Sequence, residues 1–596
     1  MAWIFPLTLW FFASFFLLGD YGWWNDDYFF NQRDAETGQY DSTFLTRRQP
    51  EFPPQDRLLP WRPIHMTATP TLITVFWDRP WVVHLVGALL HLTCAGALFL
   101  LMRRLRLSVQ SAACAVCIHL AHPSHYEAVL WAAAYVATAS SAALFLGLTL
   151  MVEYGRTGRH LLGLGAPLLT VVLVGCYEQP SACVPLFAFA YAAGAANRAD
   201  GWRPTWRDAR LAMWPTVASL AIVIAYSLNV RYNSPPGLGS DEGSYVAAKD
   251  LLDRVQQVLR GMRRLAVVNR QPWGELILGL RSLFLHTGRA VLMLGALGAG
   301  AVVAWHACFR TKPFEGISRK TTLRAGVAAG VIGVLGVIGA CVPLAVITGY
   351  MANPRTFYLV SAFGALAAAG LADLLGTTIE RISWAAAPTR ALAAGAVILL
   401  STAGGLMYVG HQQRYAQVHE VGVDQAQQLR ALAPEPPQDA VMLPLANYSR
   451  AVNTGVPGFD RGLYEAWEYS WQSWFFLENI YGRKDVHGFF CNGPDGRGCV
   501  FGVSTTHVIL EWTMSLPDKA EEGRNTCVPI PLERVVPFVI DPAGKVRIVT
   551  TLRVAPMDGG LPFNVLPGYP QVLLDQRRVP PLEFTWPAPR EWPQAR

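Results

Sequence analysis

Eleven apolar stretches, each long enough or nearly long enough to cross a hydrocarbon core that needs ~20 helical residues, constrain this chain more than any motif in it. They lie near 3–19, 81–102, 108–121, 127–152, 161–176, 181–197, 211–230, 279–308, 325–349, 356–376 and 391–410. The pattern predicts a polytopic α-helical membrane protein with about 11 transmembrane helices. Composition agrees where it bears on the point. Charged residues are 15% of the chain, against ~25% in ordinary soluble proteins, and mean hydropathy is +0.26, which excludes a soluble multidomain enzyme. The net charge of +7 comes from basic clusters set between apolar runs. Orientation in a membrane accounts for them, so nucleic acid is not an expected partner.

The basic residues also orient the chain. With the N-terminus in the cytoplasm, alternate connections hold Arg103, Arg104 and Arg106; Arg156 and Arg159; Arg198, Arg203, Arg207 and Arg210; Arg310, Lys312, Arg319, Lys320 and Arg324; Arg381 and Arg390. That is the positive-inside pattern, and the short opposite connections at 122–126 and 177–180 contain no Lys or Arg. An odd number of spans then leaves residues 411–596 outside. The first stretch lacks a basic leader and a small-x-small cleavage site and runs directly into Asp20, so it reads as an uncleaved anchor. Ala-, Gly- and Arg-rich usage points to a GC-rich bacterium, hence an inner-membrane protein with a periplasmic C-terminal domain.

Two outer connections are too long to be turns. Residues 20–80 carry Pro50, Pro53, Pro54, Pro60 and Pro63 with Trp61 and Trp77, which predicts irregular backbone at the interface. In residues 250–265, Leu251, Leu252, Val255, Val258, Leu259, Met262 and Leu265 recur at helical spacing, with Arg254, Arg260, Arg263 and Arg264 on the polar face. This predicts an interfacial amphipathic helix whose arginines hold lipid phosphates. The chain thus divides into a membrane domain, 1–410, and a C-terminal extracytoplasmic domain, 411–596, mainly β or α+β. Short β-like runs fall at 439–443, 499–504, 506–511, 534–540 and 545–554. Trp467, Trp471 and Trp474 form one helical stripe there, read as domain core or as an aromatic platform for sugars.

Seven cysteines lie in or beside apolar spans and read as packing residues, whereas Cys491, Cys499 and Cys527 fall in the outer domain. The Gly-rich segment between Cys491 and Cys499 predicts a disulfide-closed hairpin, with pairing to Cys527 the alternative.

The unusual polar residues gather on the outer side. Asp26 and Asp27, within Trp24-Asn-Asp-Asp-Tyr28, offer a base raised by desolvation and like charge, or a capped turn. In the cluster from His119 to Glu127, His122, His125 and Glu127 read as a metal set, a hydrogen-bonded helix start or a substrate site. Glu178 opens span six, and Arg355 with Tyr358 opens span ten. Arg62, Arg231, His84 and His91 complete the set.

Pro60-Trp-Arg62-Pro63, His84 through His91, His122-Pro-Ser-His125-Tyr-Glu127-Ala-Val-Leu-Trp131, Glu178-Gln-Pro and Arg355-Thr-Phe-Tyr358-Leu-Val-Ser361 resemble, in order and spacing, a known family. It is the polyprenyl-phosphate-sugar-dependent glycosyltransferases of the GT-C superfold, and in particular the membrane part of the tetratricopeptide-repeat O-mannosyltransferases. The resemblance covers roughly 1–410 and lacks the repeats; Tyr135, Tyr177 and Pro354 stand where the family usually has Arg, Lys and Glu. It implies a polyprenyl-phosphate-linked sugar bound from the outer side and an acid of the first loop, Asp26 or Asp27, as the base.

A sugar on a polyprenyl monophosphate already carries an anionic leaving group. Its transfer to an acceptor protein, glycan or lipid needs a base and cations at the phosphate, with no cofactor and no required metal. In that scheme Arg355, with Arg62 or Arg231, meets the phosphate, and His122, His125, Glu127, Glu178 and Tyr358 hold the sugar or acceptor. The competing expectations are a transporter or flippase of lipid-linked glycan, and an inactive membrane scaffold.

Overall fold

The computed structural model describes residues 17, 23, 62–197, 205–233, 251–266, 272–291, 294, 295, 298, 302, 319–346, 354–379, 386–447, 470–488, 500–503, 507–511, 525–541, 543–549, 551–554, 563–565 and 582–585. Asp26, Asp27, Cys491, Cys499, Trp467 and most of the first span lie outside them.

Helices carry the first two thirds of the chain. In order they are α1 (Pro63–Val75), α2 (Pro80–Arg104), α3 (Val109–Leu120), α4 (Tyr126–Leu130), α5 (Tyr135–Thr157), α6 (His160–Cys176), α7 (Leu186–Ala195), α8 (Trp206–Asn233), α9 (Leu251–Ala266), α10 (Pro272–Leu285), α11 (Arg319–Val346), α12 (Pro354–Ile379) and α13 (Ala386–Leu432). Among the described residues five helical stretches are long and apolar enough to cross a membrane: Pro80–Arg104, Ala132–Thr157, Arg210–Leu228, Thr321–Ala345 and Arg355–Thr377. The chain is therefore a mostly helical protein with membrane-spanning segments. α5 is the most enclosed of these, packed against α2, α6 and α7, whereas α8 leaves Met213, Val217, Ile224 and Leu228 exposed.

Several expected elements shift for local reasons. The proline-rich first loop contains a helix, α1, because Pro63 occupies its first turn, where a missing N–H costs nothing. Span four begins at Tyr135 rather than 127, since Pro123 and the extended backbone of Trp131 break its start into short turns. Pro180 and Pro185 likewise shorten span six to α7, preceded by a 3-10 turn over Gln179–Cys183. The amphipathic helix forms as α9, and part of its apolar face packs on α11 and α12: Val258 and Met262 are buried, while Leu259 is exposed. Arg260 and Arg263 stay exposed on its other face.

Hydropathy falls near residue 410, yet α13 continues unbroken to Leu432 and ends inside the C-terminal region. There Ala426, Leu429 and Ala433 join the core formed with Phe476, Leu477, Val486, Val536 and Phe538. A four-stranded sheet is ordered β2-β1-β6-β7 from β1 (Ala440–Asn447), β2 (Val486–Gly488), β6 (Val535–Ile540) and β7 (Val546–Ile548). β1 runs parallel to both β2 and β6, and α14 (Ser470–Tyr481) makes the crossover to β2. A second sheet, ordered β3-β4-β5-β9, uses β3 (Val500–Val503), β4 (His507–Glu511), β5 (Asn525–Pro531) and β9 (Phe563–Val565). β8 (Thr551–Val554) pairs with β10 (Leu582–Thr585). Cys527 lies in β5 opposite Glu511. Trp471 and Trp474 fall in α14.

Where α5 crosses α7 the two backbones approach closely. A Cβ on Gly155 would overlap the Tyr191 carbonyl oxygen, and one on Gly194 would overlap that of Val152. Small residues of this kind let membrane helices approach backbone to backbone. Gly194→Ala is expected to lower stability by about 1–3 kcal/mol, the usual penalty of overpacking. Gly364→Ala, at a site with open space for a methyl, serves as the control. Thermal unfolding in detergent that ranks the two variants equally would remove this contact from the account.

Candidate functional site

The motifs far apart in sequence meet at one end of the bundle. Arg62 caps α1 in a left-handed conformation (φ 55°, ψ 66°), which turns its side chain toward the loop between α6 and α7. Its Nε donates to Glu178 Oε2 at 2.6 Å and its Nη2 to Oε1 at 2.5 Å, a bidentate fork. The guanidinium also lies 4.5 Å over the ring of Tyr177, and the Arg62 backbone N–H donates to the Tyr226 hydroxyl at 3.2 Å. Arg62 is thus already engaged.

One turn on, His65 shares a 2.9 Å hydrogen bond with Thr69. Burial, aided by the charges of Arg62 and Arg355, pushes His65 down to about 3, so it is neutral at physiological pH. The charges of two guanidiniums from distant parts of the chain therefore act on one buried ring.

Arg355 opens α12 and sits 5.2 Å over Trp131. The Glu127 carboxylate, buried at the start of α4, faces both the charge and the backbone N–H of Arg355 and takes a hydrogen bond from Tyr126. Gln179 ties this end together from the 3-10 turn, donating to the carbonyls of Ala340 at 3.0 Å and Thr356 at 2.9 Å. The site is held from α1, α4, the α6–α7 loop and α12.

Behind it the histidines converge without forming a chelate. Ser361 donates to the Tyr358 carbonyl at 2.8 Å, while its oxygen lies 2.7 Å from His125 Nε2 and 3.2 Å from His119 Nδ1. A hydroxyl has one proton, so both rings must donate to it, which fixes the tautomers of His125 and His119. The Tyr358 hydroxyl is 2.6 Å from His91 Nδ1. Among the described residues no group of three His, Cys, Asp or Glu side chains could hold a metal ion. His125 and Tyr358, expected against a sugar, are buried and face inward, because Ser361 and His91 take their polar atoms. His122 alone of the motif's histidines is half-exposed, its ring 4.9 Å from Phe357. Arg231 falls in α8, with its side chain outside the described residues.

Sequence reasoning missed the contribution of α13. His411 lies 2.8 Å from Glu275 of α10, both buried, and stacks on Tyr126 at 4.4 Å. Leu17 N–H donates to Gln412 Oε1 at 2.9 Å, and His419 Nδ1 is 3.0 Å from the Trp23 carbonyl. Trp23 in turn stacks on Trp77 at 5.0 Å and donates its indole N–H to the Trp77 carbonyl at 2.8 Å. Beside it His84 bonds Tyr135 at 2.8 Å. The one available signal was polar residues 411–415 persisting in a helix just past an apolar span.

No protein family and no curated protein sequence matches the chain. Among solved structures, ArnT from Cupriavidus metallidurans bound to undecaprenyl phosphate is similar with a TM-score of 0.35 and 16% identity, over 82% of this chain and 85% of that one. An oligosaccharyltransferase of Archaeoglobus fulgidus, tethered by a disulfide bond to an acceptor peptide containing the NVT sequon, has a TM-score of 0.35 and 12% identity. That alignment covers 83% of this chain and 64% of the oligosaccharyltransferase, so this chain spans less than two thirds of its length.

Proposed function

We propose that the protein is an integral-membrane glycosyltransferase of the GT-C type. It moves a sugar from a polyprenyl-phosphate donor to an acceptor on the extracytoplasmic side, with Asp26 or Asp27 as general base. The observation that carries this reading is the pair of arginines at one end of the bundle, each with a carboxylate beside it: Arg62 is forked on Glu178, and Arg355 lies over Trp131 with Glu127 bonded to its backbone N–H. Guanidiniums held in place before the reaction stabilise the growing charge of a leaving phosphate without reorganising. Glu127 and Glu178 then orient cations as well as hydroxyls, and His122 has the exposure needed to meet the sugar. Asp26 and Asp27 follow the anchored Trp23 by three and four positions, a tether of at most about 11 and 14 Å.

The test is transfer itself. Protein in nanodiscs, supplied with a panel of radiolabelled polyprenyl-phosphate sugars, should release polyprenyl phosphate and pass label to an acceptor fraction. Passage of intact donor between leaflets, with the sugar never cleaved, would instead support a flippase. Within the active case, Arg355→Ala should lower turnover at limiting donor by ~10- to 100-fold, the worth of a hydrogen bond to a charged group, and Arg355→Lys by less. Equal and negligible effects of both would take Arg355 out of the phosphate site.

A further inference from the structure

The N-terminal segment is gripped by α13 at two points. Gln412 accepts from the backbone N–H of Leu17, and His419 meets the carbonyl of Trp23. Gln412 and His419 are seven positions apart, two turns of one helix, and so project from the same face. Leu17, Trp23 and Gln412 are buried at the grip, and His419 is half-buried. Trp23 is held at three points: its carbonyl by His419, its indole N–H by the Trp77 carbonyl, its ring face by Trp77.

A backbone carbonyl can only accept, so His419 Nδ1 carries the proton in this contact. Burial holds the His419 imidazole below its ordinary value, while the Trp23 carbonyl and Glu420 pull it back up. The neutral Nδ1–H form is therefore the resting one near neutral pH. Beyond His419, the same helix enters the C-terminal core, where Gln428 Oε1 accepts from Val546 N–H at 3.0 Å and Arg430 donates to the Ile480 carbonyl at 2.8 Å. One rigid element joins the first loop to the outer domain.

We propose that His419 is a positioning residue: by fixing the Trp23 carbonyl it anchors the chain three positions before Asp26, and it makes α13 the link between the outer domain and the first loop. The proposal rests on the glycosyltransferase reading for its effect on turnover, but its structural half stands without it. Asn places an amide N–H near the position of imidazole Nδ1–H, whereas Gln places one near Nε2–H. His419→Asn should therefore keep turnover within a few-fold of the parent. His419→Gln, of similar bulk, should lower it by about 10- to 100-fold at saturating donor, the loss that follows a misplacement of ~1 Å, with KM for donor little changed.

Two readouts on the full-length protein in nanodiscs decide the matter. Backbone hydrogen exchange over residues 17–30 should rise about tenfold or more in His419→Gln and His419→Ala, and return to the parental rate in His419→Asn. Release of polyprenyl phosphate from the same donor panel should follow that order. Equal exchange and equal turnover in the Asn and Gln variants would overturn the proposal, as would slow exchange in His419→Gln. If the parent shows no transfer with any donor, the glycosyltransferase reading fails, and the exchange pattern alone still upholds or rejects the grip. Should His419→Ala not fold, the comparison of Asn with Gln suffices.

Discussion

Asp26→Asn is expected to reduce sugar transfer by about 10²–10⁴-fold while leaving expression and donor binding intact, the loss that follows removal of a general base. Asn keeps the size of Asp and most of its hydrogen bonds, so the variant isolates the ability to take the acceptor proton. Asp27→Asn made alongside it identifies which of the two adjacent acids acts, since side chains one position apart point in different directions. Asp26 is the favoured one, because in the family that the sequence resembles the base is usually the first acid of such a pair. A capped turn predicts a different result, because Asn caps as well as Asp. Full transfer by the double Asn variant would refute the assignment. Donor binding is to be measured separately, by tryptophan quenching or by retention of labelled lipid, so that a drop in turnover is not confused with loss of the site.

Arg62→Ala should be the most destabilising change at the site. The guanidinium and the Glu178 carboxylate are 12% and 23% exposed, and removing one partner leaves the other a poorly solvated charge, a loss of about 3–5 kcal/mol in buried pairs. Arg62 also closes the entry to α1 through Tyr177 and Tyr226, so local order should fall with it. Combining Arg62→Ala with Glu178→Ala should recover part of the loss, because the orphaned charge is gone. Thermal unfolding of the two single variants and the double gives the coupling energy. Additive single losses would mean that the fork contributes nothing beyond its separate side chains.

The helices were legible in the sequence wherever an apolar run alone decides structure. The expected 81–102, 161–176 and 356–376 appear as Pro80–Arg104, His160–Cys176 and Pro354–Ile379. Prolines were the harder signal: the same residue starts α1 at Pro63, sits inside it at Pro70, and cuts back α7 at Pro185. Which outcome follows depends on what satisfies the backbone nearby, and that is set by neighbours distant in sequence. What the sequence offered for the site was a set of residue types. Its pairings were not legible, because Arg62–Glu178 and His411–Glu275 are contacts that local spacing does not encode. In the C-terminal region β1 read as a strand, but nothing in its alternation marks it as lying parallel between β2 and β6.

The unbroken run of α13 through residue 410 bears on how this protein can be divided. At 1.5 Å per residue its 47 residues extend for about 70 Å, more than twice a hydrocarbon core of ~30 Å, so the helix cannot be wholly intramembrane. A gene truncated at the hydropathy boundary would delete His411, Gln412 and His419, and with them the seats of Tyr126, Leu17 and Trp23. The two halves are therefore not interchangeable modules. Any exchange of the C-terminal region with that of another protein would have to be spliced after Leu432, where the helix ends.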